Sequence, residues 1–161
     1  MENKYEIRPV GKVVVKEDGF FVELFEEYRK AIKELDGFSH VDIVWWADMF
    51  DSDKYRKILT VKKPYRKAPE NMGVFATRSQ IRPNLIAITV CGVLKIDHET
   101  GLIRVNYIDA ENGTPILDIK PYHPSTDRIK NVSVPQWCDH WPSYYEDSGE
   151  FDWESEFLFE R

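Results

Sequence analysis

Leu85-Ile86-Ala87-Ile88-Thr89-Val90-Cys91-Gly92-Val93-Leu94-Lys95-Ile96-Asp97-His98-Glu99-Thr100-Gly101-Leu102-Ile103-Arg104-Val105-Asn106-Tyr107-Ile108 reads as a hairpin. Aliphatic and β-branched density predicts strands over 84–97 and 102–108, with Asp97-His98-Glu99-Thr100-Gly101 as the loop between them. Gly92 inside the first strand predicts a bulge or a barrel corner. The same pattern continues on both sides. Upstream, residues 5–15 read as a strand broken near Pro9-Val10-Gly11, Glu17-Asp18-Gly19 turns the chain, and Phe20-Phe21-Val22-Glu23-Leu24-Phe25 resumes it. The period then changes: Phe25, Tyr28, Ile32 and Leu35 share one helical face, which Asp36-Gly37 ends. Residues 40–47 predict a buried strand, 50–71 a long polar loop around Pro64 and Pro69, and 73–77 a further strand. Downstream, Glu111-Asn112-Gly113 turns into a strand over 116–120. Many strands, one short helix and no βαβ alternation predict a mainly β chain forming a small single β-barrel. No glycine-rich strand-to-helix turn of the Rossmann or P-loop type is present.

At 161 residues the chain can bury a real core, and 42% hydrophobic with 31% charged residues excludes disordered and fibrous classes. The longest apolar run, 85–94, is too short for the roughly 20 residues a membrane span needs. Met1-Glu2-Asn3-Lys4-Tyr5 has no apolar core of a signal peptide. Cys91 and Cys138 are too few for a disulfide framework, and Cys91 is expected to be buried. The expectation is a reduced, cytoplasmic protein with no membrane contact. His40, His98, His123 and His140 add metal donors, but only Cys138-Asp139-His140 sets two close together. That spacing fits no zinc pattern, so no metal is expected.

The net charge of -6 hides a sharp asymmetry. Residues 54–82 carry nine Lys or Arg against Glu70 alone, whereas 139–161 carry eight acids against Arg161. Screening limits each charge to roughly 8 Å at physiological salt, so a basic strip can meet phosphates on an acidic protein. The end of that strip, Gly73-Val74-Phe75-Ala76-Thr77-Arg78-Ser79-Gln80-Ile81-Arg82-Pro83-Asn84, packs two guanidiniums, two hydroxyls and two side-chain amides between apolar flanks. Such a cluster suits a carboxylate or phosphate, and it equally suits arginines that tie a turn to neighbouring carboxylates. From residue 123 onward Trp137, Trp141 and Trp153 stand among dense acids. The expected division is a barrel domain over 1–127 and a tail over 128–161 that packs on the barrel or on a dimer partner.

Three blocks occur in order: Glu34-Leu35-Asp36-Gly37-Phe38-Ser39-His40, residues 73–84, and Asp109-Ala110-Glu111-Asn112-Gly113-Thr114-Pro115-Ile116-Leu117-Asp118-Ile119-Lys120-Pro121-Tyr122. Together, over roughly residues 5–127, they resemble the TrmO family, also called YaeB-like or TsaA-like. The resemblance implies a single β-barrel acting as a homodimer. It implies S-adenosylmethionine as cofactor and N6 of threonylcarbamoyladenosine, in the tRNA anticodon loop, as methyl acceptor. A single-stranded loop calls for aromatic stacking and phosphate contacts. By alignment, cofactor contacts fall on Arg78, Ile88, Asn106, Tyr107, Ile108, Asp109, Asp48 and Met49. Arg82, Asn84, Asn112, Asp118, Lys120 and Tyr122 match motif positions as catalytic or substrate-binding candidates. Asp118 and Lys120 also share a strand face, where an ion pair is the structural alternative.

The chain departs from the family pattern at several points. Val14-Val15-Lys16-Glu17-Asp18-Gly19 runs straight into Phe20-Phe21, without the family's Ser-Pro and Pro-Arg-Gln loop. Arg78-Ser79-Gln80 stands for Arg-Ser-Pro, Arg82-Pro83-Asn84-Leu85-Ile86-Ala87 for Arg-Pro-Asn-Pro-Ile-Gly, Asn112-Gly113 for Asp-Gly, and Asp48 for His. Two alternatives therefore stay open beside the tRNA methyltransferase: a methyltransferase with another acceptor, and a dimeric module that binds the cofactor without turning it over.

Overall fold

A computed structural model describes residues 5–158. The first four residues, on which the signal-peptide reading falls, and residues 159–161, with the last charges of the acidic tail, lie outside the described residues. The chain forms two compact units, Met1–Asp51 with Asn84–Arg128 and Ser52–Pro83 with Ile129–Arg161. The compact division is thus discontinuous in sequence, and residues 52–83 group with the tail.

The first unit carries six strands: β1 (Gly11–Lys16), β2 (Gly19–Leu24), β3 (His40–Trp46), β6 (Ile86–Asp97), β7 (Leu102–Val105) and β8 (Pro115–Pro121). Every pairing is antiparallel, and they close into a barrel in the order β1-β2-β7-β6-β3-β8. The mainly β barrel expected from the strand pattern is what forms. Alternation fills it: Val41, Ile43 and Trp45 of β3 point inward and are buried, joined by Val13, Val22, Ile103 and Ile116. Each such side chain contributes about 1.5–3 kcal/mol relative to exposure. In the second unit, β4 (Thr60–Lys62) and β5 (Asn71–Gly73) form a two-stranded sheet.

Closure turns on β6, which serves two neighbours in succession. Residues 86–92 ladder with β3, from Trp46↔Ile86 to His40↔Gly92. Residues 93–97 ladder with β7, with a register shift between Val93 and Lys95. Gly92 sits at the change of partner, as its interruption of the strand predicts. A Cβ there would meet the Asn106 carboxamide at 3.1 to 3.4 Å. Asn106 fills that space and accepts from the N–H of Gly92 at 2.7 Å and of Tyr107 at 2.8 Å.

Several local expectations are corrected. The predicted helix is a 3₁₀ segment, Glu26–Ile32, held by i to i+3 bonds such as Tyr28 N–H to Phe25 C=O. Of its expected apolar face only Ile32 is fully buried, while Phe25 is 39% exposed, too little anchorage to enforce an α-helix. Strand structure starts at Gly11 rather than near residue 5, beyond the Pro9 break. A Cβ on Gly11 would lie 2.4 Å from the Glu23 carbonyl oxygen, so β1 and β2 approach there at backbone distance. β7 ends at Val105 because the Asn106 side chain folds back onto the chain. The expected strand over 73–77 is the 3₁₀ turn Val74–Ala76, closed by Thr77 Oγ1 donating to the Val74 carbonyl at 2.8 Å. The expected long loop holds the short helix Asp53–Arg56, capped by Ser52, before β4.

Asn106→Ala removes two acceptor bonds and strands the buried Gly92 N–H. Urea unfolding should show a loss of about 1–3 kcal/mol, and an unchanged midpoint would remove Asn106 from the closure.

Candidate functional site

In the second unit, the chain after β5 is tied into a tight polar turn. Thr77, 7% exposed, bonds the Val74 carbonyl and accepts from the Ser79 N–H at 3.2 Å. Ser79 Oγ in turn accepts from the Ile81 N–H at 3.2 Å. These hydroxyl-to-backbone bonds replace a regular ladder, which is how Ser and Thr favour turns. Arg78 lies between the two and is exposed. Arg82 folds back instead, 3.4 Å from the Ser79 carbonyl and 5.8 Å over the Phe75 ring. Phe75 itself is 76% exposed.

In the first unit, the segment after β7 brings Tyr107 and Asp109 together. The Tyr107 hydroxyl donates to Asp109 Oδ1 at 3.4 Å, and its ring stands edge-on to Phe20 at 5.5 Å. Asp109 as a residue is exposed, but burial of its carboxyl pushes it above the usual carboxylate range. The Tyr107 hydroxyl opposes that rise, and Glu111 adds to it. Ile108 between them is 2% exposed and belongs to the barrel core. Asp48 and Met49 lie on the exposed 3₁₀ turn Asp48–Phe50. Ile88 is 48% exposed on the outer face of β6, opposite Val44, with Trp46 opposite Ile86.

Other candidates have structural employment. Asn112 Oδ1 accepts from the Val15 N–H at 3.0 Å and pins the loop to β1. Asp118 and Lys120 form the ion pair that their shared face allows, at 2.7 Å, and Asp118 raises the ammonium pKa. Tyr122 is half-buried, edge-on to His40 at 6.4 Å, and Asn84 is exposed. Cys91 is fully buried, and burial, with Asp42 nearby, pushes its thiol up to about 12, well away from reactivity. Among the described residues no group of three or more His, Cys, Asp or Glu could hold a metal, and no helix is long and apolar enough to cross a membrane.

The profile of the tRNA-methyltransferase O N-terminal domain matches residues 3–128. The chain belongs to the TrmO family. It is 35% identical over 126 residues to a probable S-adenosyl-L-methionine-binding protein of Pyrococcus abyssi, covering 78% of this chain and 64% of that one. It is 30% identical over 115 residues to an S-adenosyl-L-methionine-binding protein of Archaeoglobus fulgidus, covering 71% and 77%. A human tRNA (adenine(37)-N6)-methyltransferase is 36% identical over 112 residues, 70% of this chain but 24% of that one. A TrmO crystal structure superposes with a TM-score of 0.63 at 25% identity, over 82% of this chain and 64% of the other. TrmO from Pseudomonas aeruginosa shares the fold, with a TM-score of 0.60 at 24% identity, over 81% and 62%. The chain therefore spans less than two thirds of the Pyrococcus relative and of both TrmO chains.

The TrmO match ends at 128, and sequence reasoning missed what the tail beyond it builds. Trp137, Trp141 and Phe157 pack on Tyr65, Ala68 and Met72 as a second core. Beside them Glu156, 2% exposed, meets His140 Nε2 at 3.0 Å. Burial acts to raise the Glu156 carboxyl, but His140 and the facing Trp141 indole outweigh it and hold it below the usual range. The aromatic density and the Cys138-Asp139-His140 triplet were the available signals. A depressed carboxyl stabilises fully above its unfolded value of 4.5, and that stability is lost as pH falls through the lower folded value. Tryptophan fluorescence should therefore report loosening of this core below about pH 4.5. Glu156→Gln should flatten that dependence, and an identical acid profile would contradict the assignment.

Proposed function

We propose that this chain is an S-adenosylmethionine-dependent methyltransferase acting on N6 of threonylcarbamoyladenosine in the tRNA anticodon loop, as a cytoplasmic homodimer. The observation that carries the reading is the hydroxyl-pinned turn presenting Arg78, inside the block shared with the family. A guanidinium held on a fixed turn suits the carboxylate of an amino-acid moiety. The cofactor supplies an already activated methyl group, so positioning accounts for most of what the protein must do. The Tyr107–Asp109 pair offers a carboxyl whose raised pKa makes it a better proton acceptor for an exocyclic amine.

Lys54, Lys57, Lys62, Lys63, Arg66 and Lys67 are exposed in the second unit, as phosphate contacts require. Exposed Phe75 supplies a face for base stacking. For the dimer, the support is the apolar outer face of the barrel at Val44, Ile86 and Ile88. A second reading, a module that binds the cofactor without methyl transfer, is favoured by the structural employment of Asn112 and by the archaeal relatives named for binding alone.

Calorimetry should give saturable S-adenosylmethionine binding, weakened about tenfold or more by Arg78→Ala. No heat from the wild type overturns both readings. Mass spectrometry of tRNA incubated with protein and cofactor then tests the acceptor, since an unmethylated nucleoside with intact binding rejects it and leaves the module or a methyltransferase with another acceptor. Light scattering should show a dimer that Ile88→Glu converts to monomer, and a monomeric wild type would reject the proposed face.

A further inference from the structure

Strand alternation gives the barrel an outer face formed by β1, β2, β7 and the second half of β6. Val13, Val22, Ile103 and Val105 are buried inside, so their neighbours along each strand point outward. On β6, Lys95 and Asp97 flank Ile96, which packs on the core. The ladders align the outward residues in rows across the four strands. One row is Lys12, Glu23, Leu102 and Asp97, and the next is Val14, Phe21, Arg104 and Lys95. Lys16, further along β1, stands beside the second row, its Nζ 4.9 Å from the centre of the Phe21 ring. The Arg104 guanidinium lies over the same ring at 5.8 Å.

The charges are sorted between the rows. In the first, Lys12 pairs with Glu23 at 3.5 Å, and Asp97 Oδ1 accepts from the Glu99 and Thr100 N–H groups at 3.0 and 3.1 Å. The Thr100 N–H above all holds that carboxyl below the usual range, and Lys95 contributes less. The second row with Lys16 carries three cations and no acid. Among the described residues no ion pair includes Lys16, Lys95 or Arg104, and none includes Glu17 or Asp18 of the adjoining turn. Arg104 Nη2 donates to the Asp18 carbonyl at 2.6 Å, a neutral acceptor, and its Nε is buried without a partner. The guanidinium thus keeps most of its five donors unspent. Phe21, 7% exposed, holds two charges close together without neutralising either. Like charges held together repel, and a polyanion relieves that cost. Protein interfaces are depleted of lysine, whereas nucleic-acid interfaces are strongly positive.

We propose that Lys16, Lys95 and Arg104 form a phosphate-contact face on the barrel, taking the backbone of an RNA that also enters the candidate site. The inference rests on the RNA part of the proposed function and adds a binding surface to it. Contacts to phosphate hold the RNA in register without reading its sequence.

The test measures binding of labelled tRNA to the full chain by fluorescence anisotropy, between about 50 and 200 mM salt. Lys16→Gln with Lys95→Gln should weaken binding about tenfold at the low-salt end. The same pair should lower the slope of log affinity against log salt by about 1 to 2. Lys12→Gln with Glu23→Gln removes a neutral pair from the same face and should leave the slope unchanged. Arg104→Lys keeps the charge and the slope, while Arg104→Gln lowers it by about 1. Thermal melting of the lysine variants at the wild-type temperature separates lost contact from lost fold. An unchanged slope in the Lys16–Lys95 variant overturns the proposal, as does an equal loss in the Lys12–Glu23 variant. A wild type that binds no tRNA overturns it together with the RNA reading. The expected slope loss with the nucleoside left unmethylated keeps this face and rejects the methyl acceptor.

Discussion

The barrel depends on one bend, at the point where β6 changes partners. A single 12-residue strand ladders first with β3 and then with β7, and closure requires that it turn between them. Gly92 makes room, and Asn106 occupies the room with a carboxamide that bonds two backbone N–H groups. This arrangement also ends β7 and releases the chain toward Tyr107 and Asp109. Thus the group that closes the barrel fixes where the polar pair of the first unit emerges. Asn106 matters to the site through geometry, whether or not its own amide touches a ligand.

The second unit solves a different problem. Residues 52–83 contain only a short sheet and short helical turns, and their apolar residues are too few to make a core alone. Residues 129–158 supply the missing aromatic mass, so two polar segments of opposite charge build one packed body. Tyr65 is the centre of that packing, stacked on Trp137 and met by Trp141 and Phe157.

The barrel was legible because strand alternation and turn residues are local signals, and β3, β6 and β8 show them cleanly. Gly92 announced the corner by interrupting an apolar run. The helix type was not legible. Phe25, Tyr28, Ile32 and Leu35 have helical spacing, but the choice of 3₁₀ over α depends on how few of them find a core. At the candidate site, the family blocks name Arg78 and Asp109 as candidates, and what sequence does not show is the contact each candidate makes in space, such as the Asn112 bond to β1 and the Asp118–Lys120 pair. Tyr65 was invisible, since its meaning comes from residues about 70 to 90 positions away.

The polar turn after β5 keeps its shape through side chains. Thr77 Oγ1 donates to the Val74 carbonyl and accepts from the Ser79 N–H, and Ser79 Oγ accepts from the Ile81 N–H, so hydroxyls fix the backbone on both sides of Arg78. The aromatic cluster packs on Met72 of β5, the strand from which this turn leaves. Stacked rings and the buried Glu156–His140 bond hold that cluster together, so the start of the turn is anchored by packing and its course by hydrogen bonds.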